Sequence, residues 1–252
     1  MTRLDTRLDT LAHTGPWRGR HPADKAFLAL GLLGCAVALP PWPGALVVGV
    51  VALVLLAGPA AVGLGRSVRL LRGPAAFIAV GALPLLVSVG GTPLLRFDPD
   101  GLARAGELVG RSVAATLCLL LFAATTPLAD VLPRLSRLGV PPAVGEVAAL
   151  IYRLLFLLLD TARTVRLAQA GRLGFATRRA ALRSAAGQAS TVFLRAFDRA
   201  RRLEEGLALR GYGGDLAVDL DGAPPSRRFL GASAVLIVVV VAASLLLRPV
   251  LR

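Results

Sequence analysis

The residues best placed to do chemistry in this sequence are two arginines at the predicted carboxyl ends of two long helices. Arg172 stands in Gly-Arg-Leu-Gly-Phe and Arg210 in Leu-Arg-Gly-Tyr-Gly, so each is followed closely by a glycine and an aromatic residue. A cation at this end of a helix complements the helix dipole, and a guanidinium can bind a partner's carboxylate through two parallel hydrogen bonds. Two matching ends favour a paired docking surface over two unrelated helix caps.

The remaining polar residues predict neither catalysis nor metal binding. A P-loop ATPase needs the lysine of GxxxxGK[ST], whereas the one lysine here, Lys25, lies in Pro-Ala-Asp-Lys-Ala. The two histidines, His13 and His21, precede the first apolar run, and the one methionine is Met1. Direct binding of a transition metal would need clustered imidazoles or thiolates. We therefore expect no catalytic residue, no metal site and no cofactor in this chain.

Two acidic stretches offer weaker alternatives. Asp98 and Asp100 resemble part of the motif of membrane enzymes that transfer phosphatidyl groups, but the two further aspartates that those enzymes carry on a downstream transmembrane helix are missing. Asp215, Asp219 and Asp221 lack the spacing and the closing glutamate of a calcium loop. Both stretches are interpreted as loops, which disfavours a membrane enzyme.

The composition indicates an integral membrane protein. The 252 residues are 55% apolar and 17% charged, with a net charge of +14, whereas soluble domains average about 45–50% apolar and about 25% charged residues. Charge-free runs of membrane length argue against a soluble enzyme, and also against a nucleic-acid-binding protein despite the basic charge. The first 25 residues are polar and show no signal-peptide pattern, so the first apolar run should remain as a span.

Five segments are predicted to cross the membrane, because crossing ~30 Å of hydrocarbon takes ~20 mainly apolar residues. They are residues 26–40, 44–64, 74–90, 106–126 and 229–247. Basic residues in the amino-terminal tail and in the predicted 65–73 loop place both on the cytoplasmic side. A sixth apolar run, 147–159, carries Arg153 and would put the arginine-rich stretch after it outside. We therefore assign this run to the membrane interface.

The predicted fold is all-α and polytopic, in three parts. Residues 1–126 hold a cytoplasmic tail and four spans, and residues 229–252 hold the last span and a short tail. Residues 127–228 form a cytoplasmic or interfacial segment with two long amphipathic helices, from about 144 to 171 and from 178 to 210. Gly211 should end the second helix, as glycine does just beyond helix carboxyl ends.

An ordered set of motifs resembles one known family, the transmembrane T component of energy-coupling factor (ECF) transporters, and most closely its CbiQ branch. The motifs cover nearly the whole chain: His13-Thr-Gly-Pro16, Arg20-His-Pro22-Ala-Asp-Lys25, Arg111-Ser-Val-Ala-Ala115, Thr125-Thr-Pro127, Leu138-Gly-Val-Pro141, Tyr152-Arg153 and Arg202-Leu-Glu-Glu-Gly-Leu-Ala-Leu-Arg210-Gly-Tyr212.

This resemblance implies a coupling role with partners. Members of the family hold a substrate-binding membrane subunit, CbiM-like in this branch, against two cytoplasmic ABC ATPases, and their coupling helices end in an Ala-Arg-Gly docking motif. Here the motif reads Gly-Arg-Leu and Leu-Arg-Gly, which makes Arg172 and Arg210 the docking arginines. Their implied neighbours at the interface are Gly171, Leu173, Leu209 and Gly211.

The resemblance also implies a cargo and a location. The cargo would be a transition metal, cobalt or nickel, and a vitamin system remains the alternative. The location would be the cell membrane of a bacterium, with the amino terminus and the coupling segment in the cytoplasm. A self-contained carrier is less favoured, because the central turns of the spans hold almost no polar residue beyond Ser88 and Thr116.

Overall fold

The computed structural model describes residues 11–89, 95–97, 99–132, 134, 139–211 and 224–248. The fold is all-α and polytopic, as predicted. The helices are α1 (Pro22–Ala38), α2 (Leu46–Ala57), α3 (Leu64–Ala82), α4 (Pro99–Thr125), the single turn α5 (Leu128–Val131), α6 (Pro142–Gly171), α7 (Arg178–Ala208) and α8 (Arg227–Leu247).

The chain forms two compact units. The bundle unit comprises the chain through Leu128 together with the chain from Asp221 onward, and the hairpin unit comprises Ala129–Leu220. Helices α1 to α4 and α8 build the bundle unit, and the long helices α6 and α7 build the hairpin unit.

Three helical stretches of the described chain are long and apolar enough to cross a membrane. They are Leu64–Leu86, Gly101–Thr125 and Arg227–Leu247. The predicted spans 26–40 and 44–64 correspond to α1, of 17 residues, and to a helical stretch Pro41–Ala57 that also falls below full span length. A 17-residue helix is about 25 Å long, less than the ~30 Å of the hydrocarbon core. The total of five spans therefore stays a prediction.

The connections between spans differ from those expected. The predicted 65–73 loop is wrong, because α3 begins at Leu64 and runs through Pro74 to Ala82. Arginine is a good helix former, so the three arginines of this stretch extend the helix instead of interrupting it. The predicted 91–105 loop is shorter, since α4 already begins at Pro99 and two three-residue strands, β1 (Val87–Val89) and β2 (Leu95–Phe97), pair antiparallel before it.

The core of the bundle unit lies where α1, α2 and α4 meet, with α8 packed against α1. Leu32, Val48, Leu121 and Val240 are almost completely buried there. Cys118 is a buried free thiol in the same cluster, as is Cys35. Large apolar side chains also cover the outside of α3 and α8, as expected for a lipid-facing surface; they include Phe77, Val80, Val235 and Val238.

Candidate functional site

The two predicted docking arginines lie at the ends of the α6–α7 hairpin. Helices α6 and α7 have 30 and 31 residues and pack against each other. Ser184 Oγ donates to the carbonyl of Gly174 at 2.8 Å, and Gln188 Nε2 donates to the carbonyl of Ala162 at 3.0 Å. These bonds pair early residues of α7 with late residues of α6, so the helices are antiparallel.

The first arginine, Arg172, is the residue at which α6 ends. Its backbone N–H donates to the carbonyl of Gln169 at 3.1 Å, and the N–H of Gly174 donates to the same carbonyl at 2.9 Å. Between them, Leu173 adopts a left-handed backbone conformation with φ +56°. The chain therefore reverses at Leu173 and not at the glycine that follows it.

The second arginine, Arg210, lies in an equivalent turn at the end of α7. Its backbone N–H donates to the carbonyl of Leu207 at 3.1 Å, and the N–H of Gly211 donates to the carbonyl of Ala208 at 3.1 Å. Gly211 has φ +70°, which confirms that glycine ends this helix. In both turns an exposed arginine is followed directly by one residue in the left-handed region.

The two turns differ in what the left-handed residue costs. Glycine adopts this conformation readily, whereas an L-residue with a side chain pays roughly 1–2 kcal/mol for it. Leu173 nevertheless takes it, although its side chain is 75% exposed and gains little from burial. Backbone strain of this kind is concentrated at functional sites in proteins, which makes the turn at Leu173 a candidate for one.

The first turn requires a residue without a side chain at Gly174, because neighbouring atoms lie too close for a Cβ atom. A Cβ atom added there would lie 2.5 Å from Ser184 Oγ and 2.8 Å from the Gln169 carbonyl oxygen. The carbonyl belongs to the backbone and cannot rotate away. The turn that presents Arg172 is therefore held by close packing between the end of α6 and the first turns of α7.

Replacing Gly174 with alanine should open this turn. We expect a cost of about 1–3 kcal/mol from overpacking and faster amide hydrogen exchange in peptides that span residues 169–185 of the full chain. Gly206→Ala is the matched control, because nothing lies within 4 Å of a Cβ added there and alanine favours the helix. Equal exchange in Gly174→Ala and the wild-type chain would contradict this account of the turn.

The position of the arginines limits what they can bind. Helix α7 separates them, and 31 residues at 1.5 Å each span about 45 Å. Both guanidinium-bearing residues are exposed, as is Leu209 beside Arg210, at 89%. The two turns therefore cannot close on one small ligand. They are suited instead to two separate sites on macromolecular partners.

Metal-ligating side chains are dispersed in the described parts of the chain. Within them, no three His, Cys, Asp or Glu residues lie close enough to hold a metal ion. His21 caps α1, since its Nδ1 accepts a hydrogen bond from the N–H of Ala23 at 3.2 Å.

Comparison with known proteins identifies the family. The chain matches the CbiQ family, described as cobalt transport protein, over residues 15–219. It belongs to this family. The resemblance to CbiQ-type T components is thereby confirmed, and the family is one of transport proteins, not enzymes.

Individual relatives agree with this assignment. The chain is 41% identical to the cobalt transport protein CbiQ of Rhodobacter capsulatus, over 95% of this chain and 98% of that protein. It is 28% identical to the CbiQ of Salmonella typhimurium, over 83% of this chain and 98% of that protein. A Methanocorpusculum labreanum protein named as a fused cobalt transport protein CbiMQ matches 59% of this chain at 28% identity, over 27% of its own length.

Sequence reasoning missed one buried polar cluster. Asp24 and Lys25 are each only 1% exposed, although they belong to the stretch that is predicted to be a polar region ahead of the first span. The available signal was the position of the only lysine, in an opposite-charge pair at the start of an apolar run. Their partners lie 202 and 100 residues away along the chain, and no local pattern could have identified them.

Proposed function

We propose that this chain is the transmembrane scaffold and energy-coupling subunit of an ECF-type ABC importer. It binds two cytoplasmic ATPase subunits through Arg172 and Arg210 and holds a substrate-binding membrane subunit. ATP hydrolysis by the ATPases then drives uptake of a transition metal ion, cobalt or nickel. The observation that carries this proposal is the pair of equivalent turns that present exposed arginines at the two ends of α7.

The geometry of the hairpin supports two ATPase contacts. The turns lie about 45 Å apart along α7, a separation that suits two subunits side by side better than one. Each guanidinium can form a bidentate contact with a carboxylate in a partner's groove. Gly171 and Leu173 flank the first arginine, and Leu209 and Gly211 flank the second; we propose all four as contact residues.

The backbone supports Arg172 as the first docking arginine. The family motif Ala-Arg-Gly places glycine after arginine, and Gly211 occupies that place in the second turn with φ +70°. Leu173 occupies it in the first turn with φ +56°. The two turns therefore correspond when Arg172 is matched to Arg210, even though the neighbouring residues differ.

Replacing Leu173 with glycine tests this correspondence. We expect ATPase binding at least as tight as in the wild type, because glycine removes a strain of roughly 1–2 kcal/mol while keeping the turn. Leu173→Val is the matched contrast, since a β-branched residue tolerates a positive φ poorly and should weaken binding. Affinity of the purified chain for its ATPase subunits is the measurement. A loss of binding with Leu173→Gly would mean that the leucine side chain, not the turn, makes the contact.

The names of relatives support the cargo and the membrane partner. Two relatives are named as cobalt transport proteins, and one is named as a fused cobalt transport protein CbiMQ, which fits a CbiM-like substrate-binding subunit. The described residues gather no metal-ligand cluster in this chain. We therefore assign the metal site to the partner.

The proposed setting is the cell membrane of a bacterium. The amino-terminal segment and the hairpin unit lie in the cytoplasm, where the ATPases are. Helix α7 supports this orientation through its many exposed arginines, because cytoplasmic segments of membrane proteins are enriched in basic residues. They include Arg178, Arg179, Arg183, Arg195 and Arg199.

Coupling in this proposal is mechanical. ATP binding moves the ATPase subunits relative to each other, and the arginine turns follow them. Because packed helices move as rigid bodies, α6 and α7 transmit the displacement along the chain to the bundle unit. The chain supplies no chemistry of its own to the ATPase reaction.

The direct test is recovery of the partners from native membranes. The tagged full-length chain is purified in mild detergent, and co-purifying proteins are identified by mass spectrometry. We expect Walker-motif ATPases and a small membrane subunit rich in metal-ligating residues. Recovery of a vitamin-binding subunit in its place would be consistent with the coupling role but would contradict the proposal that the cargo is a metal ion. Recovery of the chain alone would contradict the proposal and favour a self-contained carrier.

A further inference from the structure

Two adjacent buried charges join the start of α1 to two distant helix ends. Lys25 Nζ donates to the backbone carbonyl of Thr125 at 2.8 Å, and Thr125 is the last residue of α4. The N–H of Ser226, the residue that caps α8, donates to Asp24 Oδ2 at 2.9 Å. All these atoms belong to the bundle unit.

The sign of each charge matches the helix end that it contacts. An ammonium is stabilised at a helix carboxyl end and a carboxylate at an amino end. Lys25 lies at the carboxyl end of α4, and Asp24 lies in the first turn of α1 and beside the start of α8. Both charges are therefore partnered by helix ends.

A second set of contacts fixes the start of α8 to the same region. The ring of Trp17 packs edge-on against the ring of Phe229, with centroids 5.6 Å apart. The guanidinium of Arg20 lies 4.7 Å from the centroid of Phe229, within the range of a cation–π contact. The segment before α1 thus holds the first turn of α8 through both an aromatic ring and a cation.

These contacts fall where the chain passes between its two units. The chain leaves the bundle unit after Leu128, just beyond Thr125, and re-enters it at Asp221, just before Ser226. The two stems that lead to the hairpin unit, defined here as residues 125–128 and 224–226, are therefore both tied to neighbouring residues of one helix. A displacement that arrives through either stem can therefore reach α1 through these bonds, in addition to α4 and α8 along the chain.

Burial of Asp24 and Lys25 costs free energy of folding, so a purely stabilising role does not explain them well. Burying a charge has a large desolvation cost even when it is partnered. Asp24 Oδ1 is moreover buried with no hydrogen-bond partner among the described residues. Apolar residues at both positions would join the helices without this cost, so the charges are better explained by the specific backbone groups that they hold.

We propose that Asp24 and Lys25 are positioning residues that link both stems of the hairpin unit to α1 and so carry its motion into the bundle unit. This inference rests on the proposed coupling function and adds the route inside the chain. Arg172 and Arg210 take up the movement of the ATPases. Asp24 and Lys25 pass it to α1, which packs against α2, α4 and α8 in the bundle unit.

The test uses the complete complex, this chain with its ATPases and its substrate-binding subunit, in proteoliposomes. The readout is the number of Co²⁺ ions taken up per ATP hydrolysed, which does not depend on how much complex is present. Lys25→Met removes the donor to the Thr125 carbonyl and keeps a long, unbranched side chain at the buried position. We expect this ratio to fall roughly tenfold, the size expected for losing a hydrogen bond from a charged group.

Two conservative variants should restore coupling. Lys25→Arg keeps a cationic donor for the Thr125 carbonyl, and Asp24→Asn keeps an acceptor for the Ser226 N–H, so both should stay close to the wild-type ratio. Asp24→Leu, which removes that acceptor, should lower the ratio as Lys25→Met does. It gives an independent result if Lys25→Met does not assemble.

Arg111→Met is the matched control. Arg111 Nη2 also donates to a carbonyl at a helix end, that of Leu39 after α1, at 3.1 Å, but it contacts neither stem. Its loss should lower the thermal stability of the purified complex without changing the Co²⁺ per ATP ratio. An equal fall in Arg111→Met, or an unchanged ratio in Lys25→Met and Asp24→Leu, would overturn the inference.

ATPase retention separates this inference from the proposed function. Each variant should still co-purify with the ATPases, because the docking arginines are untouched. If the wild-type chain couples uptake to ATP and the Lys25 and Asp24 variants couple equally well, only the inference fails. If the wild-type chain neither retains ATPases nor supports uptake, the proposed function fails and the inference falls with it.

Discussion

Replacing both Arg172 and Arg210 with glutamate should release the ATPase subunits from this chain. Truncating one partner of a buried charge pair costs about 2–5 kcal/mol, and each 1.4 kcal/mol is a factor of ten in affinity. A glutamate facing the partner's carboxylate adds repulsion. We therefore expect each single variant to lose at least about 30-fold in ATPase affinity, and the double variant to retain no ATPase on purification.

The bundle unit should be unaffected by this change, because both arginines are exposed and lie in the hairpin unit. The melting temperature of the double variant should therefore match that of the wild type. Arg195→Glu is the matched control, an equal charge change at an exposed site within α7. If Arg195→Glu released the ATPases as readily, the effect would be one of net charge and the specific role of the two turns would be wrong.

Omitting the substrate-binding subunit should abolish Co²⁺ uptake. The described residues of this chain bring no three metal-ligating side chains together, and Co²⁺ prefers clustered nitrogen or sulfur ligands. Proteoliposomes with this chain and its ATPases, but without the membrane partner, should show only background uptake. Direct titration of the purified chain with Co²⁺ should show no saturable binding in the micromolar range.

The two histidines provide the control for this prediction. His13→Ala combined with His21→Asn removes both imidazoles, and asparagine still offers an acceptor to cap α1. Uptake by the complete complex carrying this double change should equal that of the wild type. Loss of uptake, or saturable Co²⁺ binding by the wild-type chain alone, would place a metal site in this chain and contradict the assignment to the partner.

The sequence predicted the elements whose signals are local and repetitive. The predicted ranges 144–171 and 178–210 agree with α6 and α7 to within two residues, on the evidence of the amphipathic pattern and of Gly211 after α7. Helix α6 begins two residues earlier than predicted, at Pro142. The all-α polytopic fold follows from long charge-free runs. The prediction of a loop at 65–73 is wrong because charge alone does not interrupt a helix, and arginine is among the better helix formers.

Other features depend on contacts that no local pattern records. Nothing in the identity of Leu173 indicates a left-handed backbone, and the turn there includes a close approach of Gly174 to Ser184 and Gln169 that only the folded chain shows. The burial of Asp24 and Lys25 depends on partners at Ser226 and Thr125 that only the folded chain brings near.

The measurement that tests the central claim most directly is ATP-driven Co²⁺ uptake with and without this chain. Three preparations are reconstituted, each with the ATPases and the substrate-binding subunit. The first lacks this chain, the second contains the wild-type chain, and the third contains the chain carrying Arg172→Glu and Arg210→Glu. The coupling role predicts uptake only with the wild-type chain, and background uptake in the other two preparations. Equal ATP-driven uptake in all three preparations would contradict it.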